Sequence, residues 1–142
     1  MWTPANPKPY NLVEEFRVES PEEMEALGAS LARRLTGKEV ICLRGDLGSG
    51  KTTFVRGLAR GLGVKREYQI RSPTFTLANE YPTASGKLIH VDLYRVRDFD
   101  WSEFVGEGVV AVEWGEGELC DVEVEIEICG ESGRRVRIRF RR

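Results

Sequence analysis

Histidine is nearly absent from this chain: His90 is the only one among 142 residues. Cysteine is sparse, at Cys42, Cys120 and Cys129. The number is odd and the spacing fits no metal or redox motif. Cys42 lies in the apolar run EVICLR and reads as a small buried thiol. Such thiols suit a reducing cytoplasm. Long apolar runs are missing too. None approaches the ~20 residues of a membrane span, and the opening MWTPANPKPYNL lacks the apolar core of a secretory signal. A cytoplasmic protein without membrane contact is expected. Surplus charge of one sign is also lacking. Net charge is −2, so the molecule as a whole has no electrostatic pull towards nucleic acid or anionic lipid.

What is present is ordinary for one globular domain, with 41% apolar and 31% charged residues. Residues 1–12 hold prolines and two aromatics, Trp2 and Tyr10, and read as an extended arm lying on a domain of residues 13–142. EFRVE at Glu15–Glu19 alternates as a short strand does. Ser20-Pro21-Glu22-Glu23 then announces a helix with a capping box. Met24, Leu27, Leu31 and Leu35 follow as its core stripe, and Gly37 is expected to end it. VICL (Val40–Leu43), LIHVDL (Leu88–Leu93) and VVAV (Val109–Val112) are nearly continuous apolar runs. They read as strands buried on both faces, in a parallel or mixed sheet covered by helices.

The ending carries the plainest pattern. DVEVEIEIC alternates acids with Val and Ile, and RRVRIRFRR alternates arginines with Val, Ile and Phe. A hairpin pairing Glu127 with Arg135, Glu125 with Arg137 and Glu123 with Arg139 buries one face and makes the other ionic. Residues 121–142 hold six arginines and five acids. Cations compensated in this way do not make a phosphate-binding surface, so strong direct tRNA binding is not expected. Arg141 and Arg142 are the cations left over.

Gly45, Gly50, Lys51 and Thr52 satisfy Gly-x4-Gly-Lys-Ser/Thr in GDLGSGKTTF. By average residue usage, chance gives such a match in roughly one chain in two hundred of this length. The context also fits, because an apolar strand precedes the loop and the helical face Phe54, Val55, Leu58, Leu62 follows it, with Gly63 as the stop. Glycines let successive amides of Asp46, Leu47, Gly48, Ser49 and Gly50 point at one centre. The helix start at Lys51, Thr52 and Thr53 adds positive charge. Lys51 would reach the β and γ oxygens of a nucleoside triphosphate, and Thr52 would offer its hydroxyl to Mg²⁺.

Two acids follow apolar runs: Asp92 in HVDLYR and Glu113 in VVAVEWGE. Both should emerge at the carboxyl edge of the sheet, where ligands gather in open α/β folds. One is expected to hold Mg²⁺ while the other orients an attacking water; a salt bridge to a loop arginine such as Arg95 is the alternative for either. His90 shares a strand face with Asp92 and reads as hydrogen-bonded inside the sheet edge, with proton relay as the alternative. Trp114 suits either the ligand site or the core.

The blocks GDLGSGKTTFVRGLARGLGV, SPTFTLANEY, HVDLYRV and VEWGE together resemble the TsaE (YjeE) family, from about Glu19 to the last strand. The resemblance implies a P-loop NTPase-like α/β three-layer sandwich, with a central mixed, mostly parallel sheet and a C-terminal antiparallel hairpin. It implies slow ATP hydrolysis with ATP and Mg²⁺ as cofactors, in service of threonylcarbamoyladenosine formation in tRNA. The partner it implies is the TsaB–TsaD heterodimer. Carried over by motif, Lys51 and Thr52 hold phosphate and metal, Asp92 and Glu113 are the functional acids, and Trp114 lies beside the site. Ser72-Pro73-Thr74 becomes a switch-like loop with Thr74 and Thr76 as contacts, and Arg134 contacts nucleotide. Met24 stands where the family usually has Thr near the adenine, the segment between Arg97 and Val109 is short, and the N-terminal arm is long. A non-hydrolysing nucleotide switch and a small-molecule kinase are the other classes weighed. The stretch between Asp92 and Glu113 is too short for the lid a kinase needs.

Overall fold

The computed structural model describes residues 10–73 and 75–141. The expected arm therefore lies outside the described residues as far as Pro9, while Tyr10–Leu12 already belong to the first strand. In chain order the elements are β1 (Tyr10–Val18), α1 (Pro21–Ala32), β2 (Val40–Arg44), α2 (Lys51–Gly61), β3 (Ala78–Pro82), β4 (Lys87–Asp92), β5 (Val109–Glu113), β6 (Val122–Cys129) and β7 (Gly133–Arg141). One turn of 3₁₀ helix, Ser102–Phe104, lies between β4 and β5.

The strands form one mixed sheet in the order β1-β7-β6-β2-β5-β4-β3. Its centre, β6-β2-β5-β4, is parallel. Antiparallel partners close each side, β7 and β1 on one and β3 on the other. The hairpin forms in the register read from its charges: Glu127 faces Arg135, Glu125 faces Arg137 and Glu123 faces Arg139. Val122, Val124, Ile126, Val136, Ile138 and Phe140 are its buried face. The ionic face extends beyond the hairpin. Glu15 of β1 bridges Arg135 and Arg137, and Arg44 of β2 bridges Glu123 and Glu125. Exposed pairs of this kind contribute little each, but they oppose a slip in register. Arg141 is not left over as expected. Its guanidinium donates to the carbonyls of Glu118 and Cys120 and lies 4.2 Å from the Tyr10 ring centre.

Both helices lie on one face of the sheet. Ser20 Oγ accepts from Glu23 N (3.1 Å), and the Glu23 carboxylate reaches back to Glu19 N (2.8 Å), so the capping signal read from the sequence forms. The helix stops at Ala32, five residues before Gly37. The turn from Thr36 is instead drawn together by Glu39, whose carboxylate accepts from the N–H groups of Thr36 and Gly37. Two glycines set the helix crossing. A Cβ at Gly28 would lie 2.3 Å from Phe54 O, and one at Gly57 would lie 1.9 Å from Glu25 O. Met24, Leu31, Phe54, Val55 and Leu58 fill the core beneath.

The opposite face is covered without α-helix. Leu93, Trp101, Phe99, Phe104 and Cys120, from irregular chain after β4 and before β6, close over Val40, Cys42, Ile89, Val91, Val110 and Val112. This layer corrects the reading of Cys42. Its sulfur is bonded to Cys120 (Cα–Cα 5.7 Å), and both residues are fully buried. The start of β6 brings Cys120 there: Asp121 N donates to Val40 O (2.9 Å), and Val40 N donates to Asp121 Oδ2 (2.8 Å). The argument from free thiols for a reducing compartment loses this pair.

Candidate functional site

Three strand ends meet at the carboxyl edge of the parallel sheet. Leu43 of β2 is the register partner of Glu113 of β5, and Glu113 is the partner of Asp92 of β4. The two acids are therefore neighbours in the sheet, Glu113 one strand and Asp92 two strands from the strand that leads into the glycine loop. Leu88, His90 and Asp92 alternate onto the helix-bearing face, as do Val109, Ala111 and Glu113. Each acid ends its strand at the rim of the core, Glu113 buried and Asp92 half-buried.

From β2 the chain turns through Gly45, Gly48 and Gly50, at φ 155°, 80° and 114°, where a side chain would strain the backbone. α2 then starts at Lys51. Its first bond back to the loop runs from Phe54 N to Gly50 O (2.9 Å). The amides of Lys51, Thr52 and Thr53 thus open the helix without i−4 partners, as the first turn of a helix does. The Ser49 hydroxyl is buried with no partner among the described residues.

Lys51 is only 4% exposed. Its Nζ donates to Gly45 O (2.6 Å) and Asp46 O (3.1 Å) and lies 4.2 Å from the Trp114 ring centre. Burial pushes its ammonium below the ordinary lysine pKa, against the pull of Glu113, Asp92 and Asp46. Thr52 Oγ1 donates to Glu113 Oε2 (2.8 Å), and His90 Nε2 lies 2.6 Å from the same oxygen. Asp92 accepts from Ser72 Oγ and, at 2.9 Å, from Tyr94 N. Trp114 follows Glu113 with φ 67°, and its backbone N–H donates to Leu43 O (2.7 Å), which fixes this residue beside the loop.

These groups line a cleft of about 450 Å³: Leu47, Gly48, Gly50, Lys51, Thr52, Thr53, Ser72, Asp92, Tyr94, Arg95, Glu113 and Trp114. A second cavity of about 260 Å³ adjoins it behind Gly48–Gly50, lined also by Met24, Glu131, Ser132 and Arg134. The chemistry available is that of an anion cradle: helix-start amides and one buried ammonium, faced by two carboxylates and a hydroxyl.

Most of the residues singled out in the sequence meet here. Lys51, Thr52, Asp92, Glu113 and Trp114 line one cleft. Arg134 stands apart from it: its guanidinium donates to Ser49 O (3.0 Å) and Gly48 O (3.1 Å), gripping the loop from the hairpin side. Thr74 lies outside the described residues, and Thr76 donates to Asn79 Oδ1 (2.9 Å). Arg95 makes no salt bridge with either acid among the described residues. It lies in the cleft wall with Tyr94, a role the sequence could have suggested, since both follow Asp92 directly off the strand end. His90 is hydrogen-bonded inside the sheet edge, as expected, and its partner is Glu113.

A family model described as "Threonylcarbamoyl adenosine biosynthesis protein TsaE" matches residues 18–137. The chain belongs to the TsaE family. A tRNA threonylcarbamoyladenosine biosynthesis protein TsaE of Aquifex aeolicus is 59% identical over 128 residues, covering 89% of this chain and 96% of that protein. A protein of the same name from Streptomyces coelicolor is 40% identical over 105 residues, covering 68% and 70%. The crystal structure of Bacillus subtilis YdiB superposes with a TM-score of 0.77 at 33% identity, covering 92% of this chain and 87% of that one. The family takes part in the biosynthesis of threonylcarbamoyladenosine in tRNA.

Proposed function

We propose that this protein binds ATP with Mg²⁺ in the cleft at the carboxyl edge of the sheet, hydrolyses it slowly, and uses that cycle to act on the TsaB–TsaD complex. The observation that carries the reading is the joining of Thr52 to Glu113 at the mouth of the glycine loop, beside a second acid in adjacent register. The residues fit both the nucleotide and the metal. Phosphates suit the unpartnered amides of Lys51–Thr53 and the Lys51 ammonium, whose hydrogen bonds go to carbonyl oxygens. A hard dication suits oxygen donors such as Thr52 Oγ1 and the carboxylates of Asp92 and Glu113. No group of three or more His, Cys, Asp or Glu poised for a metal occurs among the described residues.

When bound, Mg²⁺ would neutralise charge developing on the phosphates. The chain's own residues do the rest. Loop amides and Lys51 orient the phosphate chain, and Thr52 and Glu113 hold the metal side. Asp92, which accepts from Ser72 Oγ and Tyr94 N, orients the water in this reading. The test is phosphate release from Mg–ATP by the parent and by Lys51→Ala, with and without the heterodimer. The expected result is slow parent turnover, raised by the heterodimer and abolished in Lys51→Ala. Tight ATP binding without phosphate release under either condition would leave a non-hydrolysing switch.

A further inference from the structure

We infer that His90 is a positioning residue: its Nε2–H clamps one oxygen of Glu113 and leaves the other for the cleft. This rests on the reading of Glu113 as a functional acid at that site. His90 is fully buried on β4, and Glu113 is 4% exposed on the neighbouring strand. The 2.6 Å contact joins the middle of β4, where His90 pairs with Ala111, to the last residue of β5, where Glu113 pairs with Asp92. Glu113 Oε2 takes two partners, Thr52 Oγ1 and His90 Nε2. Oε1 has no hydrogen bond among the described residues, and the residue lines the cleft.

The other ring nitrogen fixes the tautomer. His90 Nδ1 is buried and has no hydrogen-bond partner among the described residues. A proton there would be a buried N–H with no acceptor, which costs far more than an idle lone pair. The proton therefore sits on Nε2, and the imidazole is a one-sided donor aimed at a carboxylate. The hydroxyl of Thr52 is free to leave Glu113, because its Cα lies on α2 and its rotor can turn. The histidine cannot turn away. When Thr52 is drawn to another partner, His90 still orients the acid. A ring held against a carboxylate in this way sets the angle at which the free oxygen meets a ligand.

Because His90 is the only histidine, nitrogen NMR of the uniformly ¹⁵N-labelled parent reads its ring without assignment. The expected spectrum shows Nε2 protonated and Nδ1 bare, with no nucleotide needed. The reverse tautomer, or two rapidly averaging forms, would overturn the inference. Two variants give a second readout. Gln at position 90 can keep an N–H near the Nε2 position, whereas Leu cannot. Calorimetric titration with ADP, with and without MgCl₂, should show that His90→Leu weakens the Mg²⁺-dependent gain in affinity by about 10- to 100-fold. His90→Gln should restore most of it. A His90→Leu protein that melts like the parent and keeps the full Mg²⁺ gain sinks the proposal. If the parent itself binds no nucleotide, the functional reading falls, while the NMR result still decides the tautomer.

Discussion

Arg134, at the start of the last strand, donates to the carbonyl oxygen of Ser49 at 3.0 Å, across 85 residues of chain. A second branch of the same guanidinium reaches Gly48 O at 3.1 Å. The glycine loop is thereby held from behind by the hairpin. Arg134→Ala should fold, because the side chain is not part of the apolar core. It should bind Mg–ATP more weakly, by about tenfold, as the loop loses two charge-assisted bonds. Arg134→Lys should recover little, since one ammonium cannot reproduce a planar fork. Calorimetry of nucleotide binding beside a thermal melt separates this from general destabilisation. Equal affinities for parent and Arg134→Ala would show the loop to be rigid without its clasp.

The crossing of α1 and α2 depends on missing side chains. A Cβ at Gly57 would meet Glu25 O at 1.9 Å, and no rotamer of a flexible neighbour can relieve a clash with backbone. Gly57→Ala should destabilise the protein by about 1–3 kcal/mol or more, despite the better helix propensity of alanine. Chemical denaturation is the measurement. A neutral or stabilising outcome would mean the helices can separate at no cost. Nucleotide affinity should fall as well, because Lys51 and Thr52 ride on the N-terminal end of the helix that is pushed away.

The parts of this arrangement legible in the sequence are those whose signal is local. Ser20 and Glu23 announce a cap within four residues, and the cap forms. The alternation of Glu123, Glu125 and Glu127 against Arg135, Arg137 and Arg139 dictates one register, and that register is found. The loop GDLGSGKT and the acids at the ends of apolar runs point to one edge, where they meet. What could not be read depends on contacts far apart in the chain. Nothing in EFRVE says that β1 pairs with β7, because an alternating strand fits any edge with one buried face. Gly28 and Gly57 look like weak helix residues until the two helices are brought together. The grip of Arg134 on Gly48 and Ser49 is invisible for the same reason.

Glu39 makes stability depend on acid pH in a definite direction. Burial raises its carboxyl pKa, but the N–H groups of Thr36 and Gly37 and the Thr36 hydroxyl outweigh that, so the net position is below the ordinary glutamate value. A carboxyl lowered in the folded state binds fewer protons there than in the unfolded chain. Its contribution is complete above the unfolded pKa of about 4.3 and is lost as pH falls through the lower folded value. Glu39→Gln should therefore melt a few degrees below the parent at neutral pH. The gap should narrow below about pH 4 and close once the parent carboxyl is protonated. A gap that stays constant across this range would assign the loss to packing.

The bond between Cys42 and Cys120 should be both silent and important. Both residues are fully buried, whereas Cys129 is partly exposed. A thiol reagent applied to the native protein should find Cys129 alone. Denaturation in the presence of reductant should release two more thiols. The bond spans a sequence separation of 78 residues, for which chain-entropy arguments give about 4 kcal/mol of stabilisation. Cys42→Ala with Cys120→Ala should accordingly lower the unfolding free energy by several kcal/mol. The loss should fall mainly on the helix-free face, where Cys120 pins the segment before β6 against β2. Hydrogen exchange in the double variant should rise first in residues 115–121 and at Trp101. Uniform loss of protection over both faces would show instead that the sheet unfolds as one unit whichever layer is loosened.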